Sequence, residues 1–567
     1  MSLDTLPPEI LEQIAFQLAT DPVLGPPAHL RALLLAGRTF YDALCVDANP
    51  VLYAGVFAAK FDRRRLWYRG PGGRGGGGGG AVGEAEELRR RCGVLGRVKA
   101  RRGCYRRLEA RWDSEGEGEG ETREILWTAY LMMLENDGAN ERHLRHAGID
   151  GWLRDFWAHA DGASGVARCM SEGRWPEDGD ETALGMWLFW FLFKPEKYKD
   201  DHELTRLLKM FALGAHKYPL CEPSWVDFRP PPLPPVPEHS LVPHYGARIV
   251  LRPPPLAVPA ILSYLALVNR RPASSTAAHI ATLATMPIPP TAPATVAVIG
   301  GASRGGECAC EWGRCLALGG GGGGGDGRPF RPGSLEGVWE GMFMYSEFPA
   351  YAALLAGAAP EVLYRSSVAQ HRQTWKLREY HYRRRRRGGS SCGCERWGDA
   401  DADETRGEEG KKEEGEGEVG EGEMKGPLPA GNPLRGYLSP GTRVEEESGR
   451  TWIEFRRSEG AVRYVRAGEG EGEGEGQEED GEEVQDVVVT GEGHSAWGQF
   501  NLLGRVRPCD GFITLSKIYI DGDRGEWVYR GYLVGDAYGN LAGRWRDSLT
   551  PVGEQGYEGC FAMSRRR

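Results

Sequence analysis

Apolar residues recur at two different periods along this chain. Over residues 4–68 they fall three and four apart, the spacing that lines one face of a helix. In DTLPPEILEQIAFQLATDP, Leu6, Ile10, Leu11, Ile14 and Leu18 make one such face. Asp4 or Thr5 can cap this helix, and Pro7 and Pro8 suit its first turn, where no backbone N–H is needed. A second apolar segment, HLRALLLAGRTFYDAL, offers Leu30, Leu33, Leu34, Phe40 and Leu44. A third, VLYAGVFAAKF, offers Leu52, Tyr53, Val56 and Phe57. Three helices this short cannot enclose a core alone, so their surplus apolar surface predicts a partner in cis or in trans. The helical period continues through residues 84–112 and 122–220, and VPAILSYLALVN predicts a further helix over 258–269.

From Ser334 the pattern changes to short runs of Trp, Tyr, Val and Ile separated by glycine turns. Candidate strands are 337–346, 372–382, 451–457, 461–466, 486–490, 497–506, 511–520, 526–534, 538–546 and 557–563. Many short strands of this kind favour a closed barrel or a sandwich, and glycines within residues 498–534 suit the bends of a small barrel. The fold class expected is α+β and multidomain. A three-helix module (1–68) leads through a Gly-rich linker (69–83) to a helical middle region (84–285). A Gly/Pro/Ala-rich linker (286–333) then leads to an all-β barrel domain (334–567), with disordered acidic inserts at 383–426 and 467–485.

Composition refines this outline. The 567 residues include 82 Gly and 37 Pro, concentrated in the linkers. The formal net charge is −10, yet residues 115–121, 399–425 and 469–483 carry −4, −8 and −9, so the remainder is +11. Loop-borne charge of both signs reads as solvation, and nucleic-acid binding is not expected. The 12 cysteines are scattered, and the opening MSLDTLPPE lacks a secretory pattern, so free thiols and a cytoplasmic or nuclear location are expected. The longest apolar run, Met186 to Phe193, is too short to span a bilayer, and no membrane association is expected.

The N-terminal stretch resembles the opening of the F-box. Its pattern, Leu-Pro-x-Glu-(Ile/Leu)-(Leu/Ile)-x-x-Ile-x-x-x-Leu, is met by Leu6, Pro7, Glu9, Ile10, Leu11, Ile14 and Leu18. The later part of the pattern is met by Leu33, Leu34, Gly37, Phe40, Asp47, Pro50 and Leu52, although Leu52-Tyr53 stands where a tryptophan is common. The resemblance implies docking on a Skp-type adaptor and, through it, a cullin scaffold. Leu6, Pro7, Ile10, Leu11, Ile14, Leu18, Leu34, Leu44 and Leu52 are the expected adaptor-binding residues.

SLEGVWEGMFMY, SVAQHRQTWKLREYHY and the segments after Gly491 resemble the C-terminal domain of fungal F-box proteins. More loosely, they resemble the lipocalin-like barrel of some animal F-box receptors. Gly337-Val338-Trp339 is similar to the Gly-x-Trp that closes the base of such barrels, which implies an arginine, Arg544 or Arg546, packed on Trp339. A barrel mouth can hold a small ligand or a peptide end. His371, Arg372, Trp375, His494 and Trp497 are the candidate substrate-binding residues.

Other chemistry fits less well. ATVAVIGGASRGG contains a G-x-S-x-G match centred on Ser303, but no helix is expected after Gly306 to complete a nucleophile elbow. Among Cys308, Cys310 and Cys315, with Cys392 and Cys394, the pairs 308/310 and 392/394 are C-x-C spacings in glycine-rich loops, where zinc favours C-x2-4-C. RPPPLPPVP, Arg229 to Pro237, reads as a polyproline II spacer. The function expected is that of a non-enzymatic substrate-recognition subunit of an SCF-type cullin–RING ubiquitin ligase, with no cofactor or metal and an unspecified protein substrate. Alternatives are a lipocalin-like small-ligand binder and, behind it, a hydrolase centred on Ser303.

Overall fold

The computed structural model describes residues 6–63, 80–106, 117–198, 200–221, 241–269, 309–319, 329–385, 443–447, 450–457, 460–467, 482–507, 509–521, 524–535, 539–551 and 554–566. Helices dominate the first half. They are α1 (Pro8–Thr20), α2 (Ala28–Ala36), α3 (Arg38–Leu44), α4 (Pro50–Lys60), α5 (Ala81–Lys99), α6 (Glu117–Leu134), α7 (Ala139–His146), α8 (Ile149–Ala158), α9 (Val166–Ser171) and α10 (Asp180–Leu192). After them come α11 (Pro195–Tyr198), α12 (His202–Leu213), strands β1 (Leu241–His244) and β2 (Ala247–Val250), α13 (Ala257–Val268) and α14 (Ala309–Leu318). The second half carries β3 (Gly337–Ser346), α15 (Phe348–Leu355), α16 (Glu361–Arg365), β4 (Val368–Arg385), β5 (Arg443–Glu447), β6 (Arg450–Arg457) and β7 (Gly460–Arg466). It ends with β8 (Glu482–Ser495), β9 (Gly498–Val506), β10 (Phe512–Tyr519), β11 (Glu526–Val534), β12 (Asn540–Asp547) and β13 (Glu558–Arg565). The described residues fall into two compact units. One is drawn from Met1–Leu192, Pro232–Leu256 and Ala302–Pro329, the other from Phe193–Pro231, Ala257–Gly301 and Phe330–Arg567.

In the first unit, four helices stand where three are expected. The second apolar segment is two helices, because the chain turns extended at Gly37 (φ −173°, ψ 153°) and the i→i−4 ladder stops there. The residue before α1 is Pro7, and no side chain caps the helix; Asp4 and Thr5 lie outside the described residues. Part of the surplus apolar surface is covered in cis, where α4 buries Leu52, Val56 and Phe57 and packs along α5. The run from Met186 is the buried helix α10, where every residue from Thr182 to Leu192 is enclosed, as an all-round apolar helix requires. The β1–β2 hairpin is not anticipated within a region read as helical. Its strands have four residues each, too few for alternation to register, and its turn is Tyr245-Gly246, both with positive φ (47° and 78°). α14 corrects the expectation of no helix after Gly306. Its apolar face includes Cys310 and Cys315, which are buried as small hydrophobes; the Tyr130 hydroxyl meets the Cys315 Sγ at 3.6 Å.

A buried charge cluster joins α4, α5, α6 and the hairpin of this unit. Arg91 on α5 donates from Nε to Glu87 Oε1 at 2.8 Å and from Nη2 to Oε2 of Glu135, the residue that follows α6. The Tyr245 hydroxyl donates to the same Glu135 oxygen at 3.0 Å, and His244 Nε2 lies 3.0 Å from Glu135 Oε1. The Arg91 guanidinium also sits 4.9 Å from the centre of the Phe57 ring on α4. Burial pushes the Glu87 carboxyl up, but Arg90 and Arg91 outweigh it and hold it below the usual range.

The second unit is built on an antiparallel sheet in the order β3-β13-β12-β11-β10-β9-β8-β4, closed by pairing of β3 with β4 into an eight-stranded barrel. β7, β6 and β5 extend from the far end of β4, where Tyr380 pairs with Arg466. The ten expected strands are all present, and β5 is an eleventh. β4 and β8 run longer than expected, so residues 383–385 and 482–485 are strand rather than insert, held by the pairs Arg383–Val484 and Arg385–Glu482. The rest of the 383–426 insert, residues 468–481 of the second and the RPPPLPPVP segment lie outside the described residues. Tight coiling is permitted by glycines at inward positions. Gly543 lies opposite Gly531, and a Cβ at Gly543 would stand 1.9 Å from the Arg530 carbonyl oxygen. Backbone cannot yield as a side chain would, so Gly543→Ala is expected to cost about 1–3 kcal/mol or more. A thermal melt of the full chain should show the second-unit transition several degrees lower.

Candidate functional site

Strand alternation sends odd-numbered residues of β3, β4, β8, β11, β12, β13 and β10, and even-numbered residues of β9, into the barrel. The lower part is filled by Trp339, Leu377, Val489, Leu533, Leu541 and Met563, all buried. Trp339 donates from Nε1 to the Leu335 carbonyl at 2.8 Å. The opposite end is lined by aromatics at strand termini: Tyr345, His371, Trp497, Trp527 and Tyr557, each half-buried, above Tyr519 and Trp545. These rings meet largely edge to face. Trp527 and Trp545 are 5.2 Å apart at 77°, and His371 and Trp497 are 5.0 Å apart at 64°.

Beneath this aromatic mouth lies Lys517, only 1% exposed. It follows Ile513 and Leu515 on the inward face of β10. Its Nζ is 3.9 Å from the Phe500 ring centre, 4.8 Å from Tyr519 and 5.2 Å from Phe343. Gln373 Oε1 accepts from Nζ at 3.2 Å. No carboxylate pairs with it among the described residues, and burial pulls its pKa down to about 7. The Gln373 amide faces the Tyr529 hydroxyl, yet its Nε2 makes no well-formed hydrogen bond. His371, above, shares a 3.0 Å hydrogen bond with the Tyr345 hydroxyl; burial and then the Lys517 charge lower its pKa.

The structure separates the residues singled out from sequence. His371 and Trp497 come together in the mouth. Trp375 points inward but is fully buried in a deeper layer, 5.3 Å from Tyr529. Arg372 and His494 are exposed on the outer face. The arginine expected on Trp339 is not there. Alternation turns Trp545 inward and Arg544 and Arg546 outward, where Arg544 donates to the carbonyls of Phe211, Ala212 and Tyr218 and so holds the C-terminal end of α12. Arg546 donates to the carbonyls of Thr550, Pro551 and Glu554. Lys517 is the residue that sequence reading missed. The signal was the alternating stripe Ile513, Leu515, Lys517, Tyr519, in which one charge interrupts an apolar face.

On the N-terminal helices, Leu11, Leu44 and Leu52 are buried within the chain, while Leu6, Ile14, Leu18 and Leu34 are half-buried and Pro7 is exposed. Ile10 is 42% exposed, and Leu35 (75%), Tyr41 (53%) and Val51 (70%) are open apolar side chains on α2, α3 and α4. Ser303, Cys308, Cys392 and Cys394 lie outside the described residues. Cys315 is an inert thiol, pushed up to about 12 by burial. Among the described residues no helix is long and apolar enough to cross a membrane.

No family model, no curated protein and no solved structure matches this chain.

Proposed function

We propose that this chain is a substrate receptor of an SCF-type cullin–RING ubiquitin ligase, with the N-terminal helices docking a Skp-type adaptor and the barrel mouth engaging substrate. The observation that carries the reading is the coincidence of the Leu-Pro-x-Glu-Ile-Leu pattern on α1 with open apolar side chains on the same four helices: Ile10, Leu35, Tyr41 and Val51. Scattered single apolar residues need no explanation, but several within 45 residues of helix suit a packed helix-face interface. In the barrel, the segments that follow β3, β10 and β12 carry exposed Phe348, Ile520 and Leu549 around the aromatic mouth, a surface of the kind that anchors a partner. Ubiquitin transfer belongs to other subunits, so the receptor needs no catalytic residue of its own.

Leu11 is a core residue, so its replacement would confuse docking with unfolding. The test is therefore Ile10→Asp with Leu35→Asp, both exposed, in the full chain. Losing even one hot-spot contact costs about 2 kcal/mol. Co-precipitation of the adaptor should fall at least tenfold while the thermal transition stays within about 2 °C of wild type. Undiminished adaptor capture by this variant sinks the reading.

A further inference from the structure

A lysine enclosed by rings and lacking a carboxylate partner is a costly arrangement, since a buried charge is normally paired. Lys517 Nζ has one oxygen acceptor, Gln373 Oε1, and the buried inward-facing side-chain atoms near it without a well-formed hydrogen bond are donors: Gln373 Nε2 and the indole Nε1 atoms of Trp375 and Trp545. The complement of a donor-only site is an acceptor, and the complement of a cation is an anion. The walls around it are Phe343, Phe500, Tyr519 and Tyr529, which suit an apolar or aromatic body. We propose that the barrel mouth binds a carboxylate carried on an apolar or aromatic body, with Lys517 Nζ and Gln373 Nε2 holding the carboxylate. This names the ligand chemistry for the mouth that the receptor reading assigns to substrate, and it rests on that reading only for its biological role. A free organic acid and the C-terminus of a peptide share this chemistry.

The site has a proton signature. Burial pulls the Lys517 pKa down to about 7. A carboxylate arriving beside it favours the ammonium, so above that pH each binding event takes up one proton from solvent. The other groups facing Lys517 stay silent between about pH 7 and 9. His371 on β4 is held below its ordinary value, and burial raises Tyr345 on β3, Tyr519 on β10 and Tyr529 on β11. β9 contributes Phe500 and Leu502 and β8 contributes Ser495, none of which titrates there. At the rim, Asp547 accepts from Thr550, and Arg524 lies on the loop before β11.

The experiment is calorimetric titration of the full chain with two probe pairs: decanoate against decanol, and a pentapeptide ending in phenylalanine as free acid against its C-terminal amide. The free acid of at least one pair should bind at least tenfold tighter than its neutral counterpart. Its affinity should fall about tenfold per pH unit above pH 7.5, with proton uptake seen as buffer-dependent heat. Lys517→Met should lose the preference for acid. Lys517→Arg keeps a cation that does not titrate, so it should retain acid binding and lose the pH dependence. Which pair responds identifies the source of the carboxylate. Equal binding of acid and neutral probes, no binding of either up to about millimolar concentration, or full acid binding by Lys517→Met overturns the proposal and leaves Lys517 a structural cation among rings. Adaptor capture measured on the same preparation keeps the two readings apart. A chain that binds acid but not adaptor fails the receptor reading alone, and a chain with the reverse behaviour fails this one alone.

Discussion

Replacing Arg91 by Met is expected to destabilise the helical unit by about 3–5 kcal/mol, the cost of removing one partner from a buried charge cluster. Arg91 is fully buried, and its loss takes the guanidinium from the enclosed Glu135 and one of two arginines from the enclosed Glu87, which keeps Arg90; Tyr245 and His244 remain directed at Glu135. Methionine fills much of the volume and keeps contact with Phe57, so the loss would be electrostatic rather than a cavity. The pH response identifies the cause. In the wild type both carboxyls are held below their ordinary values, so the stability they contribute is present above about pH 4.5 and is lost as pH falls. Without Arg91 burial dominates at Glu135 and raises its carboxyl, while Arg90 still holds Glu87, so the variant should regain stability between about pH 7 and 5, where the wild type gains nothing. Chemical denaturation at those two values, followed by hydrogen exchange in α5 and α6, reads both effects. A variant that loses little stability, or that weakens further on acidification, would show that the cluster is not what joins α4, α5, α6 and the hairpin.

Replacing Lys517 by Met is expected to act in the opposite direction. Four ring contacts offset burial of the ammonium by about 0.5–2 kcal/mol, whereas desolvation of an unpaired ion costs several kcal/mol. The apolar replacement should therefore stabilise the barrel at pH 7. The sign of the linkage follows from a folded pKa of about 7 against an ordinary value of 10.5. Between those values the unfolded chain binds a proton that the folded chain does not, so wild-type stability rises with pH, by up to about 1.4 kcal/mol per unit for one proton. Lys517→Met lacks this slope. Its advantage should be largest near pH 7 and shrink by pH 9. Denaturant midpoints at the two pH values, measured on both full-length proteins, decide it; a constant difference would mean that Lys517 titrates normally. A residue that weakens its own barrel is what a binding site held ready for an anion would contain.

Local pattern carried much of this architecture. The alternation and glycine turns after Ser334 determined ten strands, and the glycines within residues 498–534, Gly531 among them, announced a tightly coiled barrel, because backbone approaches backbone there. The apolar run from Met186 fell within a stretch of helical period, and the structure encloses it as α10. What the sequence could not decide was anything that depends on which elements meet. Cys310 and Cys315 read as loop cysteines until α14 is seen with them in its buried face. Arg544 looked available to Trp339 until register placed it on the outer face, holding the end of α12. His371 and Arg372 were equal candidates one position apart, and only closure of β3 onto β4 turned one into the mouth and the other to solvent. Alternation along one strand tells which residues share a face. It cannot tell which face becomes the inside of a barrel, because that is settled by pairing between strands far apart in the chain.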